Sequence, residues 1–366
     1  MPVLEKIVVQ DFRNIEFQEV AFSSNINCIT GLNGEGKTNL LDAIHYLSMT
    51  KSAFPVQDRY IWRYGTRGFA LGGTYLMENG LRSNFSIKVS EEGKKLVMDE
   101  KAVTRFSSHI GRLPVVMVSP GDISLVSESG DERRRFANSV LSQMDPEYLA
   151  AIQGYNKVLA QRNKLLKDSP SADLSLLEVL DMRLEALGRP VYEARKKLCR
   201  DLSPVLSRFY SLISGGREEV EIAYHSDMEK GSLADLLAAS RDRDMVLRYT
   251  GNGVQRDDLV FTMNGQPIRR CGSQGQQKSF LVALKFAQYV IMKGSYGYAP
   301  TLLLDDVFDK LDLGRISNLI GMVAGSDFGQ IFITDSNKVR LGGIVDSITE
   351  DRAYFEAEGG VFTKAL

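Results

Sequence analysis

The chain has 366 residues, 43% hydrophobic and 25% charged, so it can bury a sizeable core and hold two or three compact units. Its net charge is -1, which means that any nucleic-acid contact has to come from a local patch rather than from a global excess of cations. Cys28, Cys199 and Cys271 lie far apart and form no C-x-x-C pair, which argues against a disulfide framework or a zinc site and suits a reducing compartment. His45, His109 and His225 are equally scattered. The first residues show no basic segment followed by an apolar one, and no apolar run approaches ~18 residues. A cytoplasmic protein with no membrane segment is expected.

In chain order, residues 4–10 and 16–22 read as strands around the turn Asp11-Phe12-Arg13-Asn14. Residues 26–30 read as a short buried strand and lead into Gly31-Leu32-Asn33-Gly34-Glu35-Gly36-Lys37-Thr38. That octet fits the pattern G-x-x-x-x-G-K-[ST]. A helix over residues 39–49 follows, with Leu40, Leu41, Ile44 and Leu47 on one face. Strand, glycine-rich turn and helix start make a phosphate cradle. The backbone N–H groups of Gly31, Asn33, Gly34 and Gly36 and the positive helix end, opened by Asn39, point at phosphates. Lys37 reaches the β- and γ-phosphates, and the Thr38 hydroxyl ligates Mg²⁺.

Residues 69–76 and 81–89 form a predicted hairpin joined by Asn79-Gly80, and residues 96–103 continue the meander. Residues 113–118 are a buried-strand candidate ending at Pro120-Gly121. After Asp122 the pattern turns helical: residues 131–144, 146–167, then a long tract carrying Leu177, Leu180, Leu184, Leu187, Val191, Ala194, Leu198, Leu202, Val205, Phe209 and Leu212. Spacings of three and four predict a coiled-coil-like stripe, bent near Gly188-Arg189-Pro190 and Pro204. Two such tracts, broken by Asp168-Ser169-Pro170-Ser171, predict an antiparallel helical arm. Strands return at 220–224 and 259–263, with a helical segment at 232–243 between them. The expected division is therefore residues 1–121 and 216–366 as the two halves of one α/β head, interrupted by a helical arm at 122–215.

The second chemical cluster is the apolar run Pro300-Thr301-Leu302-Leu303-Leu304 ending in Asp305-Asp306. A buried strand that delivers acids to its carboxyl end is what a Mg²⁺-nucleotide site needs as its second part. Asp305 is assigned to the ion, and Asp306 to orienting and deprotonating the attacking water. A helix at 313–323 and a parallel strand at 330–334 follow. Ser273-Gln274-Gly275-Gln276 precedes a helix over 278–292, and a Ser and a Gly at a helix start make a second anion cradle. One monomer needs one such cradle for its γ-phosphate. The second then serves nucleotide held by another subunit, and the plainer alternative is an N-cap turn.

These motifs, taken in order, resemble the RecF family of bacterial recombination-repair ATPases, related to the Rad50 and SMC heads. The resemblance is carried by Asp11-Phe12-Arg13-Asn14, Gly31 to Thr38 with Asn39-Leu40-Leu41-Asp42-Ala43-Ile44, Ser119-Pro120 with Asp122, and Arg133-Arg134-Arg135-Phe136. It continues through Arg256-Asp257-Asp258-Leu259, Ser273-Gln274-Gly275-Gln276-Gln277 and Leu303-Leu304-Asp305-Asp306-Val307 leading to Leu311-Asp312. It implies an ABC-type head with an inserted arm, ATP-dependent dimerisation on duplex or gapped DNA, slow ATP hydrolysis, and work with RecR and RecO to load RecA. It also implies that Ser273 to Gln276 is the signature segment, Asp309 to Asp312 the D-loop, and Arg13 with Asn14 the adenine side. Two departures stand out. Val254-Gln255 replaces the family's Pro-His, and Thr334-Asp335-Ser336 stands where ABC heads carry a switch histidine, leaving Thr334 or Asp335 as the substitute. Competing readings are a head of another SMC/Rad50-like complex, a transporter subunit, disfavoured by the long arm, and a scaffold that binds ATP without turning it over.

Residues 150–213 hold eleven Lys and Arg against seven acids. Arg195-Lys196-Lys197 with Arg200 is the densest group and Arg133-Arg134-Arg135 lies just before it, so this arm is the expected DNA surface. A solvated face with ion pairs is the alternative.

Overall fold

The computed structural model describes residues 1–128, 130–168, 174–307, 328–346 and 349–365. The chain forms two compact units: Met1–Ile123, Leu212–Gly216 and Lys278–Leu366 make the first, and Ser124–Ser211 with Arg217–Gln277 the second. The expected D-loop at Asp309–Asp312, the helix at 313–323 and the break at Ser169-Pro170-Ser171 lie outside the described residues.

The first unit begins with β1 (Val3–Phe12), β2 (Ile15–Ala21), β3 (Ile26–Thr30) and the helix Lys37–Met49. Next come β4 (Gly68–Leu76), β5 (Arg82–Ser90), β6 (Gly93–Met98), β7 (Lys101–Ala102) and β8 (Val115–Val118). Six of these strands form an antiparallel sheet in the order β2-β1-β4-β5-β6-β7. Its strands alternate, as in β5, where Phe85, Ile87 and Val89 are buried and Asn84, Ser86 and Lys88 are exposed. The Asn79-Gly80 turn closes the β4–β5 hairpin as its residue types require.

The second unit is larger than the expected arm. Its helices Gly130–Met144, Pro146–Asp168 and Leu174–Ser214 cluster with β9 (Val220–His225), β10 (Asp258–Met263), β11 (Gln266–Pro267) and the helices Leu233–Ala239 and Arg241–Leu247. The boundary expected at 216 therefore shifts to 277 for this unit. The physical reason is a set of buried polar ties from helices to strands. Arg133 pairs with Asp258 at 2.7 Å and Arg195 with Asp257 at 2.9 Å, while the Cys199 thiol donates to the Ile222 carbonyl.

The two long helices do run antiparallel. Tyr148 meets Arg195, Gly154 abuts Leu187, Arg162 pairs with Asp181 and Leu166 packs on Leu177, so one index falls as the other rises. The second of them continues as one helix through Pro190 and Pro204.

The chain returns to the first unit along the helix Gln274–Tyr296 and supplies β12 (Thr301–Asp305), β13 (Ile331–Asp335), the helix Lys338–Val345, β14 (Arg352–Glu358) and β15 (Val361–Ala365). The second sheet has the order β15-β14-β3-β13-β12-β8, parallel except at β15. Ile26–Thr30 and Ile331–Asp335 are buried at every position, as expected for strands covered on both faces. Helix Lys37–Met49 sits between the two sheets. Its Leu40, Leu41, Ile44 and Leu47 share a core with Leu71, Phe85 and Ile87 of one sheet and Ile29, Leu303 and Phe332 of the other. Burying each such side chain stabilises the fold by roughly 1.5–3 kcal/mol. The register brings the carboxyl ends of β3, β13, β12 and β8 to one edge, where open α/β sheets hold their ligands.

Candidate functional site: a P-loop at the carboxyl edge of the parallel sheet

Strand β3 ends at Thr30 and the octet turns immediately into the helix. Gly31 packs so close to β14 that a Cβ there would lie 2.4 Å from the Ala357 carbonyl oxygen. Gly36 holds φ 102°, a left-handed value that favours glycine, and a Cβ on it would meet the Asn14 amide at 2.7 Å. No side chain caps the helix at Gly36, so its first N–H groups remain oriented for an anion. Lys37 is buried and its Nζ donates to the carbonyls of Gly31 (2.8 Å) and Leu32 (3.0 Å), which hold the ammonium over its own loop.

The acids come from β12. Thr38 Oγ1 donates to Asp305 at 2.8 Å, joining two residues 267 positions apart. Asp305 is 2% exposed, and burial raises its carboxyl above the usual range while hydrogen bonds from Thr334 and Thr38 oppose that shift. The Thr334 hydroxyl donates to Asp305 Oδ1 at 2.8 Å and accepts the Asp306 N–H at 3.0 Å. Asp306 itself takes a left-handed φ of 46° directly after the strand, a conformation that Asp and Asn adopt more readily than other non-glycine residues. Asp335, the other candidate for the missing histidine, is 1% exposed and accepts the Asn337 N–H at 2.7 Å, which caps the next turn. Thr38 and Asp305 offer hard oxygen donors of the kind Mg²⁺ takes, with water and phosphate left to complete the shell. Among the described residues no cluster of three His, Cys, Asp or Glu could hold a metal without such help.

A cavity of about 260 Å³ opens beside these groups, lined in part by Asn33, Ser119, Lys278, Asp306 and Ser336. The Ser119 turn is pinned there by Asp122, which accepts from the Ser119 N–H at 2.8 Å and pairs with Lys285 at 3.2 Å.

From the β1–β2 turn, Asn14 Oδ1 accepts from Asn39 Nδ2 at 2.7 Å, so Asn14 and Asn39 brace the loop together. Arg13 spends its Nε and Nη2 on Asp42 Oδ2, at 3.1 and 2.7 Å, and lies over the Phe54 ring. Gly31, Asn33, Gly34, Gly36, Lys37, Thr38, Asn39, Asn14, Arg13, Asp305 and Asp306 thus all belong to the first unit. Ser273, Gly275 and Gln276 belong to the second. There Gly275 and Gln276 lie inside the first turn of the helix Gln274–Tyr296 rather than before it. Ser273 Oγ accepts the Gln276 N–H at 3.3 Å and Gln276 Oε1 accepts the Ser273 N–H at 2.8 Å. That is a capping box.

Two features escape the sequence reading. The β14–β15 turn supports the loop, with the Gly360 N–H donating to the Glu35 carbonyl at 2.9 Å and the Gly359 N–H to the Glu35 carboxylate. The alternation of Ala353, Phe355 and Ala357 before Gly359-Gly360 is the signal that would have revealed it. Thr334 as the link between the two acids has no comparable sequence signal.

A parallel sheet with a P-loop after one strand and paired acids after another, plus an inserted helical unit, defines an ABC-type ATPase head. A family model described as an AAA domain matches residues 6–169. The chain is 45% identical to the DNA replication and repair protein RecF of Parabacteroides distasonis over 98% of both chains, and 40% identical to that of Bacteroides thetaiotaomicron over 99% of this chain and 98% of the other. A solved structure of the recombination mediator protein RecF with ATP, in the RecFOR pathway, matches with TM-score 0.89 at 28% identity, covering all of this chain and 98% of the other. An Smc head domain from Pyrococcus furiosus matches with TM-score 0.59 at 16% identity, covering all of this chain and 96% of the other, a likeness of fold. The chain belongs to the RecF family of DNA replication and repair proteins.

Proposed function

We propose that the chain binds ATP with Mg²⁺ in this P-loop, dimerises around it, hydrolyses it slowly, and works on duplex and gapped DNA with RecR and RecO to load RecA. The observation that supports this most is the Thr38–Asp305 contact, which joins the phosphate loop to the acid pair across the sheet. In this reading Lys37 would serve the β- and γ-phosphates, and Thr38 and Asp305 would hold the Mg²⁺, which would neutralise phosphate charge. Asp306 at the cavity edge orients the attacking water and takes its proton. Arg13, fixed by Asp42, and Asn14 flank the adenine end. Ser273, Gly275 and Gln276 present a helix start to nucleotide bound by a second copy. The likeness to a RecF structure with ATP supports the nucleotide, and the relatives' replication and repair role supports DNA.

ATP turnover measured with and without duplex or gapped DNA tests the reading. Weak turnover stimulated by DNA is expected. ATP binding without any turnover would favour the scaffold, and absence of DNA binding at low salt with ATP would remove the clamp.

A further inference from the structure

Resting on the DNA part of that reading, we propose that the exposed face of the helix Pro146–Asp168 is the surface that follows the phosphate backbone of DNA. The structure takes Arg195 and Arg133 away from that role, while Lys196 stays exposed against the Tyr192 hydroxyl. Arg195 is 1% exposed and bound to Asp257, the Val254 carbonyl and Asn138; Arg133 is 5% exposed and held by Asp258. Lys197 and Arg200 share Asp201, and Arg134 and Arg135 are paired with acids on their own helix.

The neighbouring helix differs. From Tyr148 to Lys167 it contains no Asp or Glu. Tyr148, Ile152, Tyr155, Val158, Arg162 and Leu166 are buried, and the inward cation Arg162 is satisfied by Asp181 and Asp244. Gln153, Asn156, Lys157, Gln161, Lys164 and Lys167 are exposed, within an arc of roughly 140° at 100° per residue. Lys157, Lys164 and Lys167 form no ion pair among the described residues.

The spacing suits one strand of a polyanion. The three lysines lie along about 15 Å of helix, and phosphates recur about every 3.4 Å along the axis of each strand. Gln and Asn amides donate to phosphate oxygens, and Ala160 lets a backbone approach closely. The face carries no large apolar side chain to enter a lipid surface or a protein groove, so the polyanion it fits is a nucleic-acid backbone.

The test is a titration of labelled duplex with the full chain and ATP, between about 50 and about 200 mM salt. The variants are Lys157→Gln/Lys164→Gln/Lys167→Gln and, as a control, Lys88→Gln/Lys95→Gln, a lysine pair set opposite one another across β5 and β6. The triple variant should bind duplex at least tenfold more weakly near 100 mM salt and lose about three units of salt slope, with ATP binding unchanged. The control should match wild type. A triple variant with wild-type affinity and slope overturns the inference, as does the loss appearing in the control instead. Wild type that fails to bind duplex or gapped DNA at the lowest salt, or that binds anionic vesicles in its place, overturns the DNA reading itself and the inference with it.

Discussion

Lys37 and Asp306 hold opposite ends of the proposed chemistry, and their substitutions should separate binding from turnover. Lys37→Ala removes the ammonium proposed to meet phosphate in ground and transition states alike, so filter binding should show most ATP affinity lost. Asp306→Asn keeps the cavity's shape and removes the proposed base, so ATP binding should persist while phosphate release falls about a hundredfold or more. Unchanged turnover in the second variant would take Asp306 out of the mechanism. The sequence placed Thr334 only as a candidate for the missing histidine; its link between the two acids was not legible, because the contact crosses from a strand 28 residues beyond Asp306.

His109 acts at the same scale on stability. It is 1% exposed with Nε2 donating to the Leu47 carbonyl at 2.7 Å, and burial lowers its folded pKa below the ordinary 6.5. The unfolded chain therefore takes up the proton first. Its stabilising contribution is complete above about pH 6.5 and is lost as pH falls from there toward the depressed folded value. Melting temperature should hold from pH 8 to about 6.5 and decline below it; a flat profile down to pH 5 would contradict this.

Among the elements, those whose residue types have one outcome were legible. Ile26–Thr30, the Asn79-Gly80 hairpin, the helix after the P-loop and the acid-tipped β12 all form within a few residues of the expected bounds. The second unit was misjudged because charge was read as exposure. Arg195 occupies the stripe of Val191, Leu198 and Leu202, and Arg162 that of Tyr155, Val158 and Leu166, so their spacing places both inside. Each finds its acid on another element, at Asp257 and at Asp181 with Asp244, which a reading of one helix at a time does not reveal. Arg195→Ala should consequently act on folding. It leaves Asp257 buried beside Tyr224 without its cation, and urea unfolding should show a loss of about 3–5 kcal/mol. A loss under 1 kcal/mol would mean that the pair is dispensable.

For the whole molecule the question is how many chains complete one site. The described first unit supplies one P-loop with one acid pair, and the second supplies a further helix start at Ser273 whose cap is already closed by Gln276. A closed capping box satisfies two N–H groups and leaves the helix dipole and the exposed Ser273 side facing outward. In the proposed dimer that end would meet a γ-phosphate held by another copy, since capping and anion binding use different donors of the same turn. Ser273→Ala should cost about 1 kcal/mol of helix stability and leave most of the dipole in place. Ser273→Arg loses the same cap but also fills the approach with a long side chain. Sedimentation with a slowly hydrolysed ATP analogue should therefore give dimers for wild type, weakened dimers for Ser273→Ala and mainly monomers for Ser273→Arg. Equal dimerisation of all three would leave the capping box as the whole role of this segment.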